Sequence, residues 1–117
     1  MATIRDLVGA IRQREGVEAA VVLGRDGLLI DSQVLPNLDA EHIAAHIPSI
    51  INAAEELSSA ARRGDLVTSV LEFQQGYAII SVLSKEALLL VLVQQNADVG
   101  KLLFELRRNR HHIAALV

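Results

Sequence analysis

Two histidines have the most suggestive chemical spacing in this sequence. His42 and His46 are four positions apart, so a helix would bring both imidazoles to one side, as two ligands of a metal ion require. The zinc-protease pattern has Glu directly after the first His, but Ile43 stands there, and no third ligand is evident. We therefore predict no metal site and interpret the pair as half-buried or interface residues.

The candidate acid–base and nucleophilic residues do not combine into an active site. Glu55 and Glu56 are adjacent, and because neighbouring helix positions diverge by about 100°, the two carboxylates cannot face one substrate. The serines nearest to His46 have neither a strained elbow nor an oriented base, and the chain has no cysteine. These serines are Ser49, Ser58 and Ser59. We predict no catalytic residue and expect a protein that is not an enzyme.

A short glycine-containing segment, residues 24–27, has a superficial likeness to a phosphate-binding loop. It leads into a predicted strand rather than a helix, and no Gly-Lys-Ser/Thr occurs in the chain. Asp26-Gly27 is instead typical of a hairpin turn, because glycine accepts the positive φ that such turns need. We predict a turn here and no bound cofactor.

The basic run 107–112 lies near the end of the last predicted helix. Positive charge there complements the helix dipole by roughly 0.3–1 kcal/mol per residue, so we interpret the run as a solvated helix end. An acidic partner and membrane headgroups are the alternatives. The net charge of −3 and the lack of interleaved aromatic residues argue against a nucleic-acid partner.

The composition predicts one small aliphatic domain. The 117 residues are 51% hydrophobic but only 3% aromatic, so Val, Ile, Leu and Ala must build the core of a single domain, 1–117. The longest apolar run, 87–93, is far shorter than the roughly 20 residues that span a bilayer, so we expect no membrane insertion. Residues 1–6 lack the order of a signal peptide, and we expect a cytoplasmic protein.

The hydrophobic periodicity predicts the element order αββαβββα. Strands that are apolar on both sides need cover on both faces, which amphipathic helices supply in a three-layer α/β/α sandwich around a five-stranded antiparallel sheet. The first and fifth strands should be central and the second and third should be edges. The predicted helices are 3–14, 40–62 and 99–117, and the predicted strands are 17–23, 28–33, 66–73, 77–83 and 87–93.

The long helix is apolar over a wider surface than one sheet face requires. We assign its core stripe to Ile43, Ile47, Ile50, Ala54, Leu57 and Ala61, and we expect Pro48 to kink the helix or shift its start. Small residues on its flanks would let a second helix approach, and the third strand is an edge that needs cover. Both features predict a homodimer with two-fold symmetry. The alternative for the wide apolar face is a helix that is buried more deeply in its own domain. The predicted interface residues are Ala44, Ile51, Ser58, Val67, Ser69, Val70, Leu71 and Phe73.

The order of elements and several local patterns resemble the roadblock family of dynein light chains, and within it the bacterial MglB-like regulators of Ras-like GTPases. The resemblance covers essentially the whole chain. It rests on GVEAAVV (16–22), DGLLI (26–30), AAEEL (53–57), GYAII (76–80), ALLLV (87–91) and ADVGKLL (97–103).

The resemblance implies a roadblock, profilin-like α+β sandwich that dimerises through its third strand and long helix. It also implies that a small Ras-like GTPase docks over the paired long helices, where some family members accelerate GTP hydrolysis by reshaping the switch loops. Arg25, in the hairpin turn, is the loop arginine to test as an inserted residue, although we interpret it as a solvent-exposed turn residue. The outer face of the long helix would bind this partner through Glu41, Ala45, Pro48, Ser49, Asn52 and Glu55.

Two other functions are compatible with the sequence. A scaffold subunit would bind a helical peptide or another roadblock chain regardless of nucleotide state. A small-molecule sensor of related shape would need pocket residues, and aromatic and polar candidates for these are scarce.

Overall fold

A five-stranded antiparallel sheet forms the centre of the protein. The structure, a computed structural model, describes residues 2–117. Its spatial strand order is β2-β1-β5-β4-β3, so β1 and β5 are central and β2 and β3 are edges, as predicted, and β4 is also central. The elements are α1 (Ile4–Arg12), β1 (Val17–Gly24), β2 (Leu29–Val34), α2 (Ala40–Ala60), β3 (Thr68–Phe73), β4 (Gly76–Val82), β5 (Ala87–Val93), α3 (Val99–Arg108) and α4 (Arg110–Ala114).

Helices cover both faces of the sheet. On one face, α1, α3 and α4 pack with Val8, Leu102 and Ile113 against alternate residues of the strands, including Val22 and Leu89. On the other face, α2 packs against the intervening strand residues. This arrangement confirms the three-layer α/β/α sandwich. The strand β5 lies in the middle of the sheet, which explains why it is apolar on both sides.

The first helix begins as its sequence predicts, but the last helix is interrupted. Thr3 and Asp6 form a reciprocal capping box at the start of α1. The prediction of one continuous helix over residues 99–117 is wrong, because the helix is interrupted at Asn109, which separates α3 from α4. The Asn109 side chain donates to the carbonyl of Glu105, and Arg110 Nε donates to the carbonyl of Val82 at 2.8 Å. The bond from Arg110 joins the start of α4 to the end of β4.

The long helix α2 runs without interruption through its proline. It begins at Ala40, where the carboxylate of Asp39 accepts from two backbone N–H groups, so the predicted shift of its start by Pro48 does not occur. Proline has no N–H, and the carbonyl of Ala44 therefore lacks the usual donor four residues later.

Within residues 2–117, no helix is long and apolar enough to cross a membrane.

The buried stripe of α2 confirms the predicted Ile47 but otherwise lies one position further along the helix, at Ala44 and Ile51. Ala44, Ile47 and Ile51 are at most 4% exposed and face the sheet, whereas Leu57, assigned to the core, is 69% exposed. The predicted position of Ala44 and Ile51 on a flank that meets a second helix is therefore wrong. Apolar residues surround much of this helix, so periodicity alone allowed two neighbouring stripes.

Candidate functional site

An apolar groove separates the second half of α2 from the edge strand β3. One helix is about 10 Å wide, and strands lie about 4.8 Å apart, so α2 cannot cover all five strands. It lies toward β1 and β2, which leaves the β3 side open. Aliphatic and small side chains predominate along the groove. Its lining residues are Ile50, Ala54, Leu57, Ser58, Ala61, Arg63, Leu66, Ser69, Val70 and Leu71.

Large hydrophobic side chains stand exposed along this groove and the neighbouring strand. Leu57 on α2 is 69% exposed, and Phe73 at the end of β3 is 57% exposed. Val67 and Val70 are also more than two-fifths exposed. Strand β3 pairs with β4 alone among the described strands, so its other edge offers backbone N–H and C=O groups to a further strand. The surface therefore combines apolar side chains with an open sheet edge.

The structure places most of the predicted interface residues at this groove or on β3. Val67, Val70 and Phe73 are exposed, and Ser58, Ser69 and Leu71 are half-buried. Ala44 and Ile51 lie in the core instead. Sequence reasoning missed Ile50, Ala54 and Leu57 as groove residues because it assigned them to the core stripe. The signal was present, since these three residues continue an apolar stripe at spacing i, i+4, i+7 alongside the sheet-facing residues Ala44, Ile47 and Ile51.

The outer face of α2 carries the residues predicted to bind a partner. Glu41, Ala45, Ser49 and Asn52 are exposed. Pro48 and Glu55 are half-buried because they contact the turn between β1 and β2.

The β1–β2 turn is held against α2 at two points. Arg25 Nη1 donates to Glu55 Oε1 at 2.7 Å, and the Arg25 side chain is only 29% exposed. Arg25 lies in the turn as predicted, but its side chain is half-buried rather than solvent-exposed. Gly27 approaches Pro48 so closely that a Cβ on the glycine would lie 3.3 Å from Pro48 Cγ. The turn and the middle of α2 thus form one continuous surface.

The histidine pair is placed together but gains no further ligand. The His42 and His46 rings are 5.0 Å apart between centroids in an edge-to-face arrangement, and both residues are exposed. Among residues 2–117, no group of three or more His, Cys, Asp or Glu side chains could hold a metal ion. The half-buried interpretation is therefore wrong, and the pair lies on the surface of α2 beside the residues predicted to bind a partner.

Known proteins share both the sequence pattern and the fold. A family model described as Roadblock/LC7 domain matches residues 3–93. An uncharacterized protein of Methanocaldococcus jannaschii is 30% identical over 106 residues, which are 91% of this chain and 89% of the relative.

Two solved structures share the fold over nearly their full length. The Roadblock/LC7 domain from Streptomyces avermitilis has a TM-score of 0.84 at 23% identity, covering 96% of this chain and 95% of that domain. Myxococcus xanthus MglB has a TM-score of 0.87 at 12% identity, covering 97% and 93%. The match of the family model to most of the chain, together with the shared sandwich, shows that this protein belongs to the Roadblock/LC7 domain family.

Proposed function

We propose that the protein is a non-catalytic homodimeric regulator or adaptor of a small Ras-like GTPase, working in the cytoplasm with residues 1–117 as one domain. The observation that carries the proposal is the apolar groove beside the open edge of β3. Monomeric soluble proteins rarely leave a contiguous apolar surface next to an unprotected strand. A second copy of the chain would cover both.

The two-fold symmetry of an antiparallel strand pair supports the proposed dimer. If β3 pairs with its own copy in antiparallel orientation, the two sheets join and a two-fold axis passes between them. Each α2 then lies beside the groove of the other copy, where Leu57 and Ile50 find an apolar environment. Ser58, Val67, Ser69, Val70, Leu71 and Phe73 would complete this interface on each protomer.

The GTPase would bind the outer surface of the two α2 helices. The resemblance to MglB-like regulators supports this partner, and the surface carries Glu41, Ala45, Pro48, Ser49, Asn52 and Glu55. Helix α2 contains no lysine or arginine, and Arg25 is engaged by Glu55. Any acceleration of GTP hydrolysis would therefore come from reshaping the switch loops rather than from an inserted arginine on this helix.

Two measurements on purified protein test the proposal. Light scattering should give twice the mass of the chain. Binding to Ras-like GTPases of the same organism, loaded with GDP or with a non-hydrolysable GTP analogue, should be detectable for one nucleotide state. A dimer that binds in both states equally would be an adaptor rather than a regulator. A dimer that binds none of these GTPases in either nucleotide state would contradict the proposal, and so would a monomeric mass.

A further inference from the structure

The helices on the two faces of the sheet carry opposite charge. Helix α2 has three carboxylates and no lysine or arginine. Helices α1, α3 and α4, on the other face, together have six lysine or arginine residues and two carboxylates. A chain with a net charge of −3 therefore carries a basic set of helices on one side of its sheet. Such a separation of charge orients a protein in the field of a charged partner.

An exposed aromatic ring lies among the cations of these helices. Phe104, in the middle of α3, is 63% exposed, although aromatic residues are only 3% of this chain. Lys101, Arg107 and Arg108 lie three or four positions from it, which places them around the ring on the helix surface. All three are exposed. We call Lys101, Phe104, Arg107 and Arg108 the α3 patch.

The charges of the α3 patch are not neutralised within the chain. Glu105, the only carboxylate of α3, pairs with Arg14 in the connection between α1 and β1. Asp98 caps the helix by accepting from the backbone N–H of Lys101. Within residues 2–117, no carboxylate lies within ion-pair distance of Lys101, Arg107 or Arg108. The three cations are therefore available to an external anion.

We propose that the α3 patch binds the surface of an anionic lipid bilayer. Lysine and arginine attract acidic headgroups, and an exposed phenylalanine between them can enter the boundary between headgroups and acyl chains. A specific protein partner needs about 800 Å² of complementary surface per side, and four side chains on a convex helix offer much less. A bilayer requires no matching shape, so it suits this patch better than an acidic protein does.

The proposed dimer would double this surface, and this step rests on the proposed function. Antiparallel pairing of two β3 strands places the two-fold axis perpendicular to the joined sheet. Both α3 patches then lie on the same side, and both acidic α2 helices lie on the opposite side. A flat bilayer can engage the two patches together, which raises the apparent affinity. The α2 surface would face away from the membrane and remain accessible to a GTPase.

Sedimentation of the full chain with lipid vesicles tests the proposal. Wild type should bind vesicles of phosphatidylcholine mixed with phosphatidylserine, bind phosphatidylcholine alone much more weakly, and dissociate as salt is added. Arg108→Glu should weaken binding at least about fivefold, given roughly that factor for each surface cation. The matched control is Arg62→Glu, which makes the same charge change at an exposed position after α2.

Two further variants distinguish the contribution of the apolar contact from that of the dimer. Phe104→Ala keeps the charge and should weaken binding to mixed vesicles by several-fold, because it removes the apolar contact. Leu57→Glu, which should disrupt the proposed dimer, would bind more weakly than wild type but keep its dependence on Arg108. If wild type ignores the mixed vesicles, or if Arg108→Glu and Arg62→Glu bind them equally, the proposal is wrong. Binding to polyglutamate but not to vesicles would assign the patch to an acidic protein and would also overturn it.

Discussion

Arg25 Nη1 lies 2.7 Å from Glu55 Oε1, and this ion pair joins the β1–β2 turn to α2 across thirty residues of sequence. The two side chains are 29% and 37% exposed, so solvent screens the interaction only in part. The pair lies beside the contact between Gly27 and Pro48. Together these contacts hold the turn in place beside the surface that we assign to the GTPase.

We expect a coupling free energy of about 0.5–1 kcal/mol between Arg25 and Glu55. A double-mutant cycle with Arg25→Ala and Glu55→Gln, followed by urea unfolding, would measure it. The coupling should decrease as salt is added, because both groups are partly exposed. A coupling indistinguishable from zero at low salt would mean that the pair does not hold the turn.

Two substitutions to glutamate on α2 should affect different properties, one the dimer and the other the folding of the chain. Leu57→Glu places a charge on a residue that is 69% exposed, so the chain should fold but the proposed dimer should dissociate. Ile51→Glu buries a charge at a position that is 1% exposed, which should abolish folding. Light scattering and circular dichroism on both variants would test this. A folded Leu57→Glu variant that keeps the wild-type dimer mass would remove the groove from the interface.

The position of β5 in the sheet was predictable from the sequence, but the orientation of α2 was not. β5 is apolar on both sides, and only a central strand covered by helices on both faces buries such a pattern, so its position followed directly. The face of α2 did not follow, because either Ile43 with Ile50 or Ala44 with Ile51 completes an apolar stripe through Ile47. The choice depends on where the helix lies over the sheet, which long-range contacts such as that of Gly27 with Pro48 determine.

The break at Asn109 had a similar cause. Apolar residues with helical spacing continue on both sides of it, and Arg110 alone interrupts the stripe, which a continuous helix tolerates. The bond from Arg110 Nε to the carbonyl of Val82 joins residues 28 positions apart. No local pattern reports such a contact.

Replacing Pro48 with alanine should stabilise the protein. Alanine restores the N–H that the Ala44 carbonyl lacks and is a much better helix former, so we expect a gain of about 1–3 kcal/mol. Thermal unfolding would measure it, with Ser49→Ala as the neighbouring exposed control, for which we expect a change within about 0.5 kcal/mol. A loss of stability in Pro48→Ala would show that the contact with Gly27 contributes more than the missing hydrogen bond costs.

The hairpin that places β3 at the sheet edge depends on a glycine. Gly76 has φ 147°, and a Cβ there would lie 2.2 Å from the carbonyl oxygen of Val93 in the central strand. Gly76→Ala should therefore lower the free energy of unfolding by more than about 3 kcal/mol. Gly64 also has a positive φ, of 84°, but nothing lies within 4 Å of a Cβ there. Gly64→Ala should lose only about 1–2 kcal/mol, and equal losses in urea unfolding would contradict the steric explanation.

A charge on the outer face of α2 should block the proposed GTPase without disturbing the dimer. Asn52 is exposed there, and Asn52→Arg adds a bulky cation to a helix that has none. Gln95→Arg makes the same change in the exposed connection between β5 and α3, which makes it a matched control. We expect Asn52→Arg to weaken GTPase binding at least about tenfold, as for central interface residues, with Gln95→Arg unchanged and both dimer masses intact. If Asn52→Arg binds as wild type does, the GTPase must use another surface, because a residue at the centre of the proposed contact cannot tolerate a new buried charge.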